Sequence, residues 1–364
     1  MAASPVDAMA RALGPACGVD EQGHLPLPWL ADALRDAHGR ARSHALLVHG
    51  PAGAGQLELG LVLAQGWLCE GGGGQVPCGR CASCHLVRTR VHPDLLIVVP
   101  DALRLALGWS SADEAPTKSD SKPSRDVRVQ QVRQAIDWAH NTSGRGRGKV
   151  LVLHPADALN LSAANALLKT LEEPPGMLRL VLTSSDPERL LPTIRSRCQK
   201  LPLALPEAGS AQQWLAGQGL ADAGPLLALS GGSPIEALGL AAEGIDAGWL
   251  QQFPRSVAQG DASLLRGRPI PRVIDLLGKL VHDAMAVSVG APARFFPTSP
   301  PRALSDRQAW NQASRELFRM ARREDHPWNA PLLIEALVTQ VARLWQGGGS
   351  AAPRRAGASL HSGR

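Results

Sequence analysis

Residues 44–68, HALLVHGPAGAGQLELGLVLAQGWL, pass from a short apolar run through Gly50, Gly53 and Gly55 into a helical pattern, with Leu59, Val62, Leu63 and Trp67 on one face. That order predicts a buried strand over 44–49, a glycine turn and a helix over 56–68, the frame in which backbone N–H groups cradle phosphate. A working nucleotide loop of the form G-x-x-x-x-G-K-[ST] adds two side chains, a lysine that neutralises the β- and γ-phosphates and a hydroxyl that holds magnesium. Gln56 and Leu57 stand in their places. Glycines set the backbone and survive such replacements. The expectation is therefore a nucleotide-binding fold that has lost its nucleotide chemistry, with no ATP bound.

Cys69, Cys78, Cys81 and Cys84 follow at the spacing C-x8-C-x2-C-x2-C. In a reducing compartment, thiols clustered this way are metal ligands rather than a disulfide set. Zn2+ suits four thiolates in a closed tetrahedron with no position left for substrate, so one structural zinc ion per chain is expected. His85, next to Cys84, is the alternative ligand, and nucleic-acid binding by the knuckle stays open. Cys17 and Cys198 lie outside the cluster and read as buried or incidental thiols.

The chain has 364 residues, 44% hydrophobic and 19% charged, and no apolar run near the roughly 20 residues needed to span a bilayer. Its first residues lack the basic-then-apolar order of an export signal, so a cytoplasmic protein of two or three domains is expected. The formal charge of +6 is compatible with nucleic acid nearby but does not require it.

Further strands are predicted over 95–99 (LLIVV), 149–153, 178–184 and at the end of 190–203. Helices are predicted over 127–139 and 161–173, the second placing Ala164, Leu167, Leu168 and Leu171 on one face before Pro174-Pro175-Gly176 stops it. The alternation argues for a parallel sheet with helices on both faces, an α/β fold. Residues 110–125, SSADEAPTKSDSKPSR, are predicted to be a solvated loop. Beyond residue 205 the strand-like runs vanish. A small helical module fits 212–242, and the stripes Val273, Leu276, Leu277, Leu280, Val281, Ala284 and Ile334, Leu337, Val338, Val341, Leu344, Trp345 mark amphipathic helices whose apolar faces are core. Residues 347–364 have too little apolar surface to fold and read as a flexible basic tail.

HGPAGAG at 49–55, the four cysteines, HPD at 92–94, NALLKTLEEPP at 165–175 and SRC at 196–198 occur in this order. The set resembles the AAA+ subunits of the bacterial clamp loader. The resemblance implies an N-terminal extension over 1–24, an AAA+ P-loop-type parallel sheet domain over 25–204 with its zinc module at 69–85, a helical lid domain over 205–262, an all-helical collar domain over 263–346 and the tail. In the family's ATPases the strand before Asn160 ends in an Asp-Glu pair that binds magnesium; here 150–153 runs into His154-Pro155-Ala156-Asp157. Their lid carries Gly-Ser-x-Arg, whereas Gly232-Ser233-Pro234-Ile235 has isoleucine in the arginine's place.

Three nucleotide-handling elements are thus altered together, which favours a subunit of the clamp loader that hydrolyses no ATP itself. By resemblance, Arg197 of Ser196-Arg197-Cys198 is an arginine finger acting in trans on a neighbour's nucleotide, with Arg195 the runner-up. The implied partners are gamma/tau ATPase subunits, a delta subunit, the sliding clamp and primer-template DNA. The alternatives are an active AAA+ ATPase of the gamma/tau kind using another lysine, and a zinc-containing nucleic-acid-binding protein that works alone.

Overall fold

The computed structural model describes residues 18–40, 43–71, 77–109, 123–303, 307–321 and 329–346. Most of the predicted loop at 110–125, the tail at 347–364 and Cys17 lie outside the described residues. The chain divides into two compact units between Gly244 and Ile245. That division falls within the stretch assigned by resemblance to the lid, so the helix Ala247–Ala258 goes with the second unit.

In the first unit α1 (Leu30–Arg40) precedes β1 (Ala45–His49), α2 (Gln56–Leu68), α3 (Ala82–Arg88), β2 (Leu95–Val98), α4 (Asp101–Ala106) and α5 (Val129–His140). Then come β3 (Lys149–Leu153), α6 (Leu161–Glu172), β4 (Leu178–Ser184), α7 (Pro192–Arg197) and β5 (Gln199–Pro202). The strands form one parallel sheet in the order β2-β3-β4-β1-β5, and Val48 lies level with Thr183 on one side and Leu201 on the other.

Side chains alternate across the pleat, so each strand feeds two cores. Leu46, Val48, Val150, Val152 and Val181 pack with Leu59, Val62 and Leu63 of α2 on one face. Ala45, Leu47, Leu151, Leu153, Leu180 and Leu182 pack with Leu167 and Leu171 of α6 and Ile194 of α7 on the other. Asn160 caps α6 by accepting the Ala163 N–H at 2.9 Å, and the Pro174-Pro175 pair follows its C-cap, Glu173, since neither proline can donate to a continuing helix. The segment 190–203 is not strand alone. Pro192 opens the helix α7, which ends at Arg197, because a proline at the first helical position gives up only an N–H that has no partner there.

The unit closes with α8 (Ala208–Gly217), α9 (Gly224–Leu229) and α10 (Pro234–Ala242). The second unit contains α11 (Ala247–Ala258), α12 (Ile270–Ser288), α13 (Arg307–Ala321) and α14 (Ala330–Gln346). Phe253 stacks between Trp249 and Phe296 at centroid separations of 4.4 and 5.6 Å. Asp283, fully buried on α12, accepts the backbone N–H groups of Arg294, Phe295 and Phe296 at 3.0, 2.7 and 2.7 Å and pins that loop to the helix. Among the described residues no helix is long and apolar enough to cross a membrane.

Candidate functional site

The glycine loop joins β1 to α2, where Gly53 and Gly55 take φ of 75° and 103°. Its carbonyls are turned to partners inside the chain. Gln56 Nε2 donates to the oxygens of Gly50 and Pro51, both at 2.7 Å. Trp29 Nε1 donates to that of Ala54 at 2.8 Å, and its ring meets Trp214 of α8 edge-on at 5.4 Å. Ser233, N-cap of α10, reaches the Gly53 oxygen at 3.4 Å while accepting the Glu236 N–H at 3.2 Å. A β-carbon on Gly53 would fall 2.1 Å from Ser233 Oγ, so this position tolerates only glycine for space as well as for its positive φ. Leu57 and Ile235, which replace a hydroxyl and an arginine in the ATPase pattern, are buried in one apolar core with Ala54 and Leu203.

Ionisable groups lie on the elements around this loop. Glu58, in the first turn of α2, is buried, and burial pushes its carboxyl up to about 7. His154, at the end of β3, is half-buried and lowered to about 4 by desolvation. Its Nδ1 donates to Thr183 Oγ1 at 2.6 Å, and that hydroxyl donates in turn to the Leu153 carbonyl at 3.3 Å. His154 is therefore a neutral imidazole held at the end of β3.

The four cysteines come together. All four Sγ atoms lie within 4.8 Å of one another, and the Cys69–Cys81 and Cys78–Cys84 pairs are each 3.9 Å apart. Sulfurs tetrahedral about a zinc ion at about 2.3 Å would sit roughly 3.8 Å apart, so the spacing fits. The N–H groups of Glu70 and Cys84 point to Cys81 Sγ, and those of Gly71 and Cys78 to Cys69 Sγ, each at 3.4 Å, an arrangement that favours thiolate. Burial opposes ionisation of Cys78, but the backbone N–H groups of Arg80 and Cys81 bring it down to about 6. Burial raises the Cys84 thiol. His85 is exposed on α3 and outside the sulfur cluster. Cys198 is buried elsewhere, with its thiol raised to about 12 by desolvation. The cysteine set can thus hold one metal ion.

The module is braced from two sides. Gly79, at φ 74°, brings the knuckle so close to the N-terminal segment that a β-carbon would lie 2.0 Å from the Asp20 oxygen. Arg88 joins the two by donating to the Gly79 carbonyl and to Glu21, both at 2.7 Å. His92 and Asp94 of the HPD motif, both buried, form the other brace. His92 Nδ1 accepts the Asp94 N–H at 3.0 Å, which leaves Nε2–H to donate to Ser83 Oγ at 2.7 Å. The Asp94 carboxylate accepts from Ser143 Oγ and from the N–H groups of Gly144 and Arg145 at 2.9, 2.7 and 2.9 Å. Arg145 in turn grips Glu70, beside Cys69, through Nε at 2.6 Å and Nη2 at 3.0 Å. Sequence reasoning took HPD only as a family marker. A histidine and an aspartate two positions apart, directly before an apolar strand, were the available signal for this hub.

Arg197 is the last residue of α7. Its Nε donates to Glu172 Oε1 at 2.7 Å and its Nη1 to the Thr193 carbonyl at 2.9 Å. Ser196 Oγ donates to the same carbonyl at 3.1 Å. Arg195 pairs with Glu188. Both arginines therefore have partners within the chain, and the two motifs NALLKTLEEPP and SRC meet through Glu172 and Arg197.

An all-parallel sheet in this strand order with a glycine loop after β1 is an α/β architecture of the P-loop type, here with a loop lacking lysine and hydroxyl. Residues 31–207, which lie within the first unit, match the family described as "DNA polymerase III, delta subunit". The chain is 39% identical over 224 residues to DNA polymerase III subunit delta' of Pseudomonas aeruginosa, covering 60% of this chain and 62% of that protein. It is 34% identical over 220 residues to DNA polymerase III subunit delta' of Escherichia coli strain K12, covering 58% and 60%. With DNA polymerase III subunit tau of the same strain it shares 31% over 160 residues, covering 44% of this chain and 21% of that one. The chain spans about six tenths of the length of these delta' relatives. The chain is thus similar to DNA polymerase III subunit delta' over about six tenths of its length.

Proposed function

We propose that this chain is a non-hydrolysing subunit of the replicative DNA polymerase III clamp loader that helps to load the sliding clamp onto primed DNA. The observation that carries this reading is the glycine loop closed by its own chain, with Gln56 on Gly50 and Pro51, Trp29 on Ala54 and Ser233 on Gly53. Phosphate binds such a loop through its N–H groups, and a triphosphate entering there would find neither a lysine to neutralise it nor a hydroxyl to hold its magnesium. Leu57 on α2 and Ile235 on α10, packed in one core, support the same conclusion. The partners on this reading are gamma/tau ATPase subunits, a delta subunit, the clamp and primer-template DNA.

The cysteine set would hold zinc, whose part is structural: a closed thiolate site leaves no position for substrate and organises a segment with little core of its own. Arg197 would act in trans, presenting a guanidinium to charge that builds on a neighbour's transferring phosphoryl group.

Calorimetry of the purified chain with Mg-ATP tests the central statement, and no binding heat is expected. A micromolar, magnesium-dependent dissociation constant would return the chain to the ATPases. Gel filtration with an intact P-loop subunit from the same cell tests the assembly, and failure to co-elute would favour a nucleic-acid-binding protein that works alone.

A further inference from the structure

Glu172 and Arg197 end two helices that are both anchored in the same core. Leu171, 1% exposed, and Ile194, fully buried, fasten α6 and α7 beneath the pair. The pair itself stands at the surface, with side-chain exposures of 48% for Glu172 and 32% for Arg197. Nε and Nη2 of Arg197 both donate to the single oxygen Oε1 of Glu172, and Nη1 turns back to the Thr193 carbonyl one turn earlier on α7. The guanidinium is thus folded along its own helix rather than extended, with all three of its nitrogens engaged inside the chain.

We propose that Glu172 is a latch that holds Arg197 back until a neighbouring subunit presents nucleotide phosphates; the inference rests on Arg197 acting in trans. Engagement is an exchange of one oxyanion partner of the guanidinium for another. The carboxylate offers one negative charge at an exposed site, where an ion pair contributes little. The polyphosphate offers more charge and a matching fork of oxygens. While latched, the guanidinium cannot stabilise charge on a phosphoryl group, so the facing site is restrained until assembly on clamp and DNA brings the phosphates within reach. Glu172 is a positioning residue in this scheme and touches no reacting atom.

The test uses a reconstituted complex of an intact P-loop ATPase subunit with this chain as wild type, Glu172→Gln, Glu172→Ala, Arg197→Ala and the Glu172→Gln/Arg197→Ala double variant, with assembly checked by gel filtration. Steady-state ATP hydrolysis is measured with and without clamp and DNA. Releasing an exposed pair is expected to raise the unstimulated rate at the facing site about two- to fivefold, to leave the stimulated rate unchanged, and to have no effect in the Arg197→Ala background. If Arg197→Ala lowers hydrolysis while both Glu172 variants are silent, the latch is refuted and the trans role stands. If the Glu172 variants lower hydrolysis, Glu172 aims the arginine rather than restraining it, which also overturns the latch. If Arg197→Ala is silent, the trans role fails and the latch fails with it.

Discussion

Gln56 Nε2 lies 2.7 Å from the carbonyl oxygens of both Gly50 and Pro51, so the side chain at the start of α2 is turned back onto the loop that precedes it. Gln56 is only 6% exposed, and few waters can replace it. Its two bonds belong to the stability of the first unit as well as to the shape of the glycine loop.

Gln56→Ala leaves those two carbonyls without the amide and should destabilise the first unit by about 1–3 kcal/mol, the usual cost of stranding buried acceptors. Urea denaturation of wild type and variant is the check. A loss within a few tenths of a kcal/mol would mean that the carbonyls find other donors.

Cys81→Ser should abolish stoichiometric metal binding and open the knuckle to protease, because Cys81 is one of the four sulfurs, while the serine can still cap α3 by accepting the Cys84 N–H. Metal analysis and limited proteolysis of the purified variant measure both effects. Full zinc occupancy in Cys81→Ser would refute the four-thiolate assignment.

Asp94→Ala removes the acceptor for Ser143 Oγ and two backbone N–H groups at once. A cost of about 2–4 kcal/mol is expected, since hydrogen bonds to a buried carboxylate are among the stronger ones. Arg145→Ala breaks only the partly exposed pair with Glu70 and should cost under about 1 kcal/mol. Reversal of that order in denaturation experiments would show that the arginine, not the aspartate, holds the loop.

Glu58 and His154 give the first unit opposing pH dependences. Burial raises Glu58 from 4.5 to about 7, so its contribution is fully present below pH 4.5 and is lost as pH rises through about 7, a change on the order of 3 kcal/mol. Desolvation lowers His154 from 6.5 to about 4, so its contribution is fully present above pH 6.5 and is lost as pH falls through about 4. Glu58→Gln should therefore stabilise the chain at pH 8 and uncover a steeper acid loss, seen in melts across pH 4 to 8. An unchanged pH profile in Glu58→Gln would show that the carboxyl titrates normally.

Arg197→Ala should lower hydrolysis at the one facing site by about 10³ to 10⁵ if the finger role holds, and the total rate of a complex with several sites far less. Arg197→Lys should rescue poorly, because a compact ammonium lacks the planar fork of donors. Arg195→Ala, which breaks only the pair with Glu188, is the control. A defect in Arg195→Ala alone would move the role to that residue.

Periodicity and punctuation were sufficient for much of the first unit because both are local. The helix at 56–68, the strands at 149–153 and 178–184 and the helix opened by Asn160 and stopped by Pro174 stand where the apolar pattern put them. The cysteine cluster was equally legible, since ligand spacing along the chain is itself the signal. Other elements were missed. Leu30, Leu34 and Ala37 carry a helical period that α1 uses to bury all three, yet the segment is short and flanked by polar residues. α3 contains only seven residues and depends on Cys81 as its cap, so no amphipathic stripe announces it.

From the sequence alone came the expectation of missing nucleotide chemistry, resting on Gln56, Leu57, His154 and Ile235, and a set of four thiols at metal-ligand spacing. Only the tertiary structure decided where those side chains went. Gln56 turned inward, Ser233 came to rest on Gly53 from 180 residues away, HPD became a brace for the cysteine module, and Arg197 folded onto Glu172. Residue type and spacing are written along the chain. The direction of a side chain and the identity of its long-range partner are set by which helices pack on which face of the sheet, and that is settled only when the whole core closes.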